Sequence, residues 1–374
     1  MKIKQFQLKQ GQRVSEVVEN ANLVLVFGDR GLIEGKDIYK EFRQSFPKAN
    51  VVFCSTAGEI LNTEVSDNTL AVTAIEFEKT KAQPTIVNIE NFKDSYAAGK
   101  HLVESLQHDN LRHILVLADG QLVNGSELVR GMNEILSDKV TISGGLAGDG
   151  AKFQKTLVGL NDNIVAGNLV AIGLYGDHLV VGHGSSGGWD SFGPFRRVTK
   201  SKSNVLYELE GKSALDLYKQ YLGDLAEGLP GTALLFPLSI KTDDDSEPVV
   251  RTVLSVNEAE HSMTFAGDIP LGSQARLMKA NFDRLIDAAS GAASNTFTPF
   301  NGMQPELAIL ISCVGRKLVL DQRVEEEVES VRGILGDKTK MTGFYSYGEI
   351  SPLMKSPKCE LHNQTMTITA FSEI

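Results

Sequence analysis

One strand–helix–strand unit recurs three times in this chain, and each copy ends in a glycine followed by a carboxylate. The copies begin at the apolar runs 23–27, 114–117 and 307–311, and each run is followed by a helical stripe of apolar residues. The second strands lead into the corners Gly58-Glu59, Gly148-Asp149 and Gly348-Glu349. Such a unit with short turns favours a parallel strand pair and a right-handed crossover. The sequence therefore predicts an α/β protein built from repeated βαβ units.

A further strand follows each copy, so we expect mixed sheets, with helices at 98–106 and 274–289 covering their faces. The region between copies two and three differs from the repeat. It contains a predicted helix at 212–222 and predicted strands at 234–237 and 249–256. We place a domain boundary at residue 205. Residues 1–205 would hold two copies, and residues 206–374 would hold one copy with the inserted strands and helices.

The overall charge limits the partners of this protein. A formal net charge of −10 argues against a nucleic-acid partner and against docking on anionic membranes. The sequence has no run near the roughly 18 apolar residues of a membrane span, and its first residues lack the apolar core of a signal peptide. The cysteines are few, odd in number and scattered, at positions 54, 313 and 359. We therefore expect a cytoplasmic protein with reduced thiols.

The three corner acids are the first site candidates. Equivalent turns of repeated units come to one edge of a sheet, and ligands tend to bind beyond the carboxyl ends of strands. Glu59, Asp149 and Glu349 would then line one or two pockets. The alternative is that each acid caps a backbone N–H in a tight turn.

The glycine-rich stretch 182–189 is the second candidate. Its glycines, Gly187 and Gly188 among them, would let the backbone approach a ligand, and Trp189 offers a flat stacking surface. A neutral His183 imidazole here could ligate iron, so His183 is the predicted metal ligand. The alternative is a glycine-rich turn with a hydrogen-bonded histidine.

Two further residues carry weaker predictions. His362, at the start of the last strand, is a second iron-ligand candidate, with a turn residue bonded to the backbone as its alternative. Cys313 ends an apolar strand, where a cysteine is usually part of the core. The sequence contains no GxxxxGK[ST] or HExxH motif. It names no reaction, and we expect a protein that is not an enzyme. The alternative is an enzyme with Cys313 or the corner acids as catalysts.

Several stretches of six or more residues resemble one family in the right order. Stretches 55–60, 144–149, 186–189, 193–194, 198–201 and 206–209 look like the N-terminal FIST domain, and 214–218, 312–316, 343–350 and 361–367 look like the C-terminal FIST domain. The resemblance implies a sensory, ligand-binding module of intracellular signal transduction. It also puts Tyr347, Cys313 and Arg316 among the ligand-binding candidates.

The resemblance extends to a bacterial branch of haem-binding nitric-oxide sensors. It implies haem b as the cofactor and output through a histidine kinase or a cyclic-di-GMP enzyme in trans. The resemblance does not fix the axial ligand, which by residue context we expect to be His183 or else His362. A homodimer is also an expected assembly. The alternative is a haem-free sensor of a small metabolite such as an amino acid, with the corner acids holding the ammonium group and backbone N–H groups the carboxylate.

Overall fold

The computed structural model describes residues 1–35, 38–243, 246–353 and 358–374. It is a mixed α/β protein with sheets covered by helices, as predicted. Copy one comprises β1 (Lys2–Lys9), β2 (Leu23–Gly28), α1 (Arg30–Ile33), α2 (Ile38–Ser45), β3 (Asn50–Ser55), β4 (Glu59–Leu61), β5 (Glu64–Ser66) and β6 (Thr69–Glu76). Copy two comprises β7 (Lys81–Asn88), α3 (Ser95–Glu104), β8 (Leu111–Ala118), α4 (Gly125–Ile135), β9 (Thr141–Leu146), β10 (Val158–Leu160), β11 (Asn163–Val165) and β12 (Asn168–Tyr175).

The remaining elements form an inserted region and copy three. After β13 (Leu179–Ser186), the insert comprises β14 (Asp190–Lys202), β15 (Val205–Leu209), β16 (Lys212–Ser213), α5 (Ala214–Leu222), β17 (Leu238–Lys241), β18 (Val249–Arg251), β19 (Val253–Asn257), β20 (Ser262–Phe265) and β21 (Gln274–Lys279). Copy three comprises α6 (Phe282–Asn295), β22 (Leu307–Cys313), α7 (Val314–Leu320), α8 (Val324–Leu335), β23 (Lys340–Ser346), β24 (Gly348–Pro352), β25 (Cys359–His362) and β26 (Met366–Glu373). Short 3₁₀ helices lie at Ile89–Asn91, Gly223–Gly228, Gly231–Leu235, Thr298–Phe300 and Asp321–Arg323.

Each copy forms the centre of one six-stranded sheet. The predicted parallel pairs are present as β2–β3, β8–β9 and β22–β23. An antiparallel strand, β6, β12 or β26, flanks the first strand of each pair. The outermost strand on that side is β1, β7 or β13. The threefold repeat read from the sequence is therefore a threefold repeat of sheets.

The three sheets exchange hairpins in a cycle. The hairpin β4–β5 of copy one extends the sheet of copy three, β10–β11 of copy two extends the sheet of copy one, and β24–β25 of copy three extends the sheet of copy two. In copies one and three the hairpin begins within the corner, with Glu59 in β4 and Glu349 in β24, and in copy two it begins at Val158, a short loop after the corner. The corners are thus the points where the chain leaves one sheet for the next.

Alternate residues of the parallel strands enter two different cores. In β2, Leu25 and Phe27 face an apolar centre shared by all three sheets, while Val24 and Val26 pack under the covering helices. In β22, Ile309 lies in the shared centre. Because both faces are buried, these strands read as continuous apolar runs.

The insert is a separate layer with its own core. Strands β14 to β21 form one antiparallel sheet, which packs with α5 around residues such as Leu215, Phe265 and Leu277.

The division of the chain at residue 205 stays a prediction. Among the described residues, no helix combines the length and the apolar character that crossing a membrane requires.

Three predicted elements of the insert region were wrong. Residues 274–279 form strand β21 instead of the start of a helix, since alternate residues there are buried, and α6 begins only at Phe282. Predicted strand 234–237 overlaps a 3₁₀ helix, and the strand β17 starts after Pro237. Predicted strand 249–256 is divided at Thr252 into β18 and β19, which pair with different neighbours.

Candidate functional site

The three corners lie next to one another in the fold. Each is bound to the next by a backbone hydrogen bond, so together they form a ring. The contacts are Ala57 N to Tyr345 O at 2.8 Å, Gly148 N to Ser55 O at 2.9 Å and Tyr347 N to Leu146 O at 3.2 Å. The repeat therefore brings the corners together, through their backbones.

Two of the corner acids are buried among internal donors. Glu349 accepts hydrogen bonds from Ser346 Oγ at 2.6 Å and Thr365 Oγ1 at 3.0 Å. Glu59 accepts from Thr56 Oγ1 at 2.6 Å and from the hydroxyl of Thr69 at 2.7 Å. Burial raises the pKa of Glu349 to about 8 and that of Glu59 to about 7, although the hydrogen bonds to each carboxylate act to lower its pKa. Both carboxyl groups thus bind hydroxyl groups of their own copy of the repeat.

The third acid organises an aromatic pair. Asp149 is buried, accepts from the Tyr347 hydroxyl, and accepts from the Gln154 and Lys155 backbone N–H groups at 3.1 and 3.0 Å. The Phe153 N–H donates to the same Tyr347 oxygen at 3.3 Å, and the Phe153 ring stacks on Tyr347 with centroids 4.6 Å apart. Asp149 thereby fixes both the loop and the ring that Phe153 presents.

The glycine-rich stretch is explained by helix packing. A β-carbon on Gly182 would lie 2.0 Å from Thr296 O, one on Gly184 would lie 1.8 Å from Ala292 O, and one on Gly188 would lie 2.2 Å from Arg284 O. These carbonyls belong to or directly follow α6. The glycines therefore let β13 and the residues after it approach α6 closely, and α6 occupies the space that the sequence predicts for a ligand.

His183 lies on the opposite face of β13, in a buried polar group. Its Nε2 is 2.9 Å from Thr141 Oγ1, and its ring centroid is 5.2 Å from that of His113. Its Nδ1 is buried without a hydrogen-bond partner among the described residues, although the residue as a whole is only half-buried. Burial lowers the pKa of His183 to about 4.

The other predicted cofactor residues are held in place by protein groups. His362 Nε2 lies 3.2 Å from Ser351 O, and burial lowers its pKa to about 4. Trp189 is buried and donates from Nε1 to Gln364 O at 2.7 Å. The Gly187 carbonyl accepts from Arg316 Nη1 at 2.6 Å.

These residues do not fit a haem. An axial histidine needs one nitrogen directed at an open cleft, whereas His183 has Nε2 bonded to Thr141 and Nδ1 enclosed. The His362 nitrogen is bonded to a strand carbonyl. Within the described ranges, no three His, Cys, Asp or Glu side chains converge as metal ligands do.

A cavity of about 710 Å³ lies between the three-sheet core and the insert. The core contributes the loop that follows β8 and the start of α7 after β22, with Leu146, Phe153 and Tyr347, and the insert contributes four short stretches. Its lining residues include Gly120–Gly125, Asn204, Pro230, Gly231, Leu234, Thr252, Val253, Leu254, Phe265, Ala266, Gly267, Cys313, Val314 and Gly315. It thus opens at the carboxyl ends of parallel strands, where ligands of α/β proteins bind.

Two of the predicted ligand-binding residues, Cys313 and Tyr347, line this cavity. The pKa of each is raised by burial, and Glu349 adds to the rise for Cys313, so both are uncharged at neutral pH. None of the described lining residues is Lys, Arg, Asp, Glu or His. The structure therefore presents an uncharged cavity, and it does not bring Glu59, Asp149, Glu349 or Arg316 into its lining.

The sequence missed most of the lining residues. Phe153, Leu122 and Leu254 stand in irregular or exposed stretches, and the insert segments come from a region without repeat. The glycine breaks after the apolar runs of copies two and three, at Gly120 and Gly315, marked the two strand ends where the cavity forms. A second cavity, of about 950 Å³, lies between α4 and the insert and is lined by charged residues such as Glu127, Arg130 and Arg251.

The chain belongs to the FIST family. The FIST N domain matches residues 22–212, and the FIST C domain matches residues 214–352. Together the two matches cover most of the chain, so the family resemblance read from the sequence is confirmed. FIST domains are associated with signal transduction and ligand sensing.

The chain is similar to an uncharacterized protein of Methanocaldococcus jannaschii. The two are 21% identical over 359 residues, which is 86% of this chain and 65% of that relative. The chain thus spans 65% of the length of the curated relative that it matches.

Two solved structures of enzymes align with nearly the whole chain. A chorismatase shares 9% identity at a TM-score of 0.36, and a cyanuric acid hydrolase from A. caulinodans shares 8% at 0.33; each alignment covers 99% of this chain and 98% of the other. The prediction that the protein is not an enzyme is wrong on this finding. TM-scores of this size carry no argument about the reaction or the ligand of this chain.

Proposed function

We propose that this protein is a haem-free sensor that binds a small molecule in the cavity between the three-sheet core and the insert. The carrying observation is that cavity itself, of about 710 Å³, at the carboxyl ends of β8 and β22. Its volume lies in the range of ligand sites. Its lining comes from the FIST N and the FIST C matches, so a ligand would contact both.

Helix α7 offers a route for the signal. Its first turn, with Val314 and Gly315, lines the cavity. In the same turn, Arg316 Nη2 donates to Leu285 O of α6 at 2.8 Å and to Glu327 Oε2 of α8 at 2.8 Å. A ligand that binds better to one arrangement of α7 than to another would increase the population of that arrangement, and with it the matching positions of α6 and α8.

The output passes to a second protein in this proposal. The family resemblance points to a histidine kinase or a cyclic-di-GMP enzyme in trans. The free-amino-acid ligand is less well supported than an uncharged one, because Glu59, Asp149 and Glu349 accept hydrogen bonds from protein groups and do not line the cavity.

A thermal-shift screen with a cavity-filling variant tests the site. Gly231 lines the cavity, and a β-carbon there would meet nothing within 4 Å. Gly231→Leu therefore fills part of the cavity with a side chain and causes no backbone clash. Gly291 of α6 is equally open but does not line the cavity, so Gly291→Leu is the matched control. A metabolite that binds the folded chain raises its melting temperature.

We expect such a rise in the wild type and in Gly291→Leu, and its loss in Gly231→Leu. A metabolite that stabilises all three proteins equally would bind elsewhere and would remove the cavity from the proposal. Binding of the full chain to a partner kinase, measured with and without that metabolite, then tests the output.

A further inference from the structure

The cavity carries information about the chemistry of its ligand. No ionisable side chain of the acid, lysine, arginine or histidine type is among its described lining residues. Burying an unpaired charge in such a place is unfavourable, because the charge loses its hydration and gains no partner. The lining therefore selects against a charged group at the point of binding.

An aromatic face stands at the edge of the cavity. Phe153 lines it, and its ring is stacked on Tyr347 at 4.6 Å with an interplanar angle of 19°. Phe153 has φ of +52°, a conformation that a bulky residue adopts only when its surroundings hold it there. The Tyr347 hydroxyl fixes this conformation, because it accepts from the Phe153 N–H and donates to Asp149. Tyr347 covers one face of this ring.

The ring nevertheless remains accessible. Phe153 keeps 41% of its surface exposed, and the neighbouring rim residues Leu122 and Leu254 keep 53% and 46%. Single exposed apolar side chains are ordinary, but three at the mouth of one cavity form an apolar patch of the kind that marks a binding site. In the wall itself, Thr252 Oγ1 is buried without a hydrogen-bond partner among the described residues. A buried hydroxyl of that kind calls for a ligand or a water molecule.

We infer that the ligand is an uncharged molecule with a planar aromatic ring that stacks on Phe153 against the apolar rim. This inference rests on the proposed function, because it takes the cavity as the sensor's ligand site. Offset or parallel stacking of two rings adds to the area that they bury, and a phenylalanine ring held by Tyr347 presents its free face without further ordering.

Two fluorescent probes of matched size separate charge from shape. N-phenyl-1-naphthylamine is neutral, and 1-anilinonaphthalene-8-sulfonate carries the same rings with a negative charge. We expect the neutral probe to bind the full chain saturably, at least tenfold more tightly than the anion. Phe153→Ala should weaken the neutral probe about tenfold, which is the upper range of one aromatic contact.

The chain offers matched controls. Phe195 is 43% exposed and does not line the cavity, so Phe195→Ala should leave the binding of both probes unchanged. Leu254→Lys places a cation at the rim and should tighten the anion while it weakens the neutral probe. Leu271, 68% exposed and outside the lining, supplies the control Leu271→Lys.

The outcomes separate this inference from the proposed function. If the anion binds as tightly as the neutral probe and both are lost in Gly231→Leu, the ligand class is wrong and the cavity stands. If the neutral probe is lost in Gly231→Leu but unaffected by Phe153→Ala, the stacking is wrong. If neither probe binds saturably, or if Gly231→Leu and Phe153→Ala both leave binding unchanged, the inferred ligand class and the proposed binding site are both wrong.

Discussion

Arg316 and Glu327 form an ion pair in which neither side chain has any solvent-accessible surface. Arg316 Nη2 and Nε lie 2.8 and 3.1 Å from the same Glu327 oxygen. The other Glu327 oxygen accepts from Tyr345 Oη at 2.7 Å and from Ser312 Oγ at 3.2 Å. Arg316 also donates to the carbonyl of Gly187. The pair thus joins α7 and α8 to the segment that leads into the insert.

Removal of one partner should be strongly destabilising. Arg316→Met leaves the Glu327 carboxylate buried without a counter-charge, and we expect a loss of about 3–5 kcal/mol in the free energy of unfolding. Arg323 is the matched control, because its pairs with Glu326 and Asp283 are exposed and screened by solvent, and Arg323→Met should cost far less than Arg316→Met. Urea unfolding followed by the single tryptophan, Trp189, measures both. Equal losses in the two variants would contradict the argument.

The repeat made much of this fold predictable. Apolar runs such as 307–311 signalled strands buried on both faces, and glycines marked the strand ends. The exchange of hairpins between sheets was not predictable, since β4 pairs with β23, some 280 residues further on, and local patterns carry no such pairing. The insert was predicted poorly for the same reason, because its strands are short and their partners distant.

The site was harder to predict than the fold. Gly184 and His183 looked like a ligand loop, because a glycine that makes room for α6 and a glycine that makes room for a ligand have the same signature in sequence. Phe153 gave no signal, since its role comes from its contact with Tyr347, 194 residues away.

The buried acid Glu349 should make the protein less stable as the pH rises. Its pKa is about 8 in the folded protein and ordinarily 4.5, so the folded state holds a proton that the unfolded state has lost. Its contribution is complete below pH 4.5 and is lost as the pH rises through 8. Glu59 acts in the same direction up to about pH 7. The lowered pKa values of His183 and His362, about 4, act in the opposite direction, but only between pH 4 and 6.5.

We therefore expect the free energy of unfolding to fall by about 1 kcal/mol per pH unit between pH 6.5 and 8. Glu349→Gln keeps one acceptor oxygen for Thr365 and places an NH2 group that can donate to Ser346 Oγ, but it cannot titrate, so its stability should fall less steeply across this window. Urea midpoints at intervals of half a pH unit give the two slopes. Identical slopes would show that Glu349 titrates normally in the folded protein.

Gly184 and Gly291 should respond oppositely to the same substitution. In Gly184→Ala the new methyl group would meet Ala292 O at 1.8 Å, so strand and helix must separate, and we expect a loss of about 2–3 kcal/mol. Gly291 lies inside α6 with nothing within 4 Å, and Gly291→Ala should stabilise by about 0.5–1 kcal/mol through helix propensity. Thermal unfolding of the two variants measures both signs. A neutral Gly184→Ala would mean that the strand and the helix can separate at no cost.

Haem added to the purified protein should not form a complex that depends on His183 or His362. Both imidazoles are bonded inside the protein, and their lowered pKa values come from burial that a haem would have to open. The exposed His261, bonded to Asp216, is the control for loose binding at the surface. Soret spectra of His183→Ala, His362→Ala and His261→Ala, each titrated with haem, should match the spectrum of the wild type. A sharp histidine-ligated Soret band at one haem per chain, lost only in His183→Ala or His362→Ala, would overturn the haem-free sensor and restore the cofactor that the family resemblance implies.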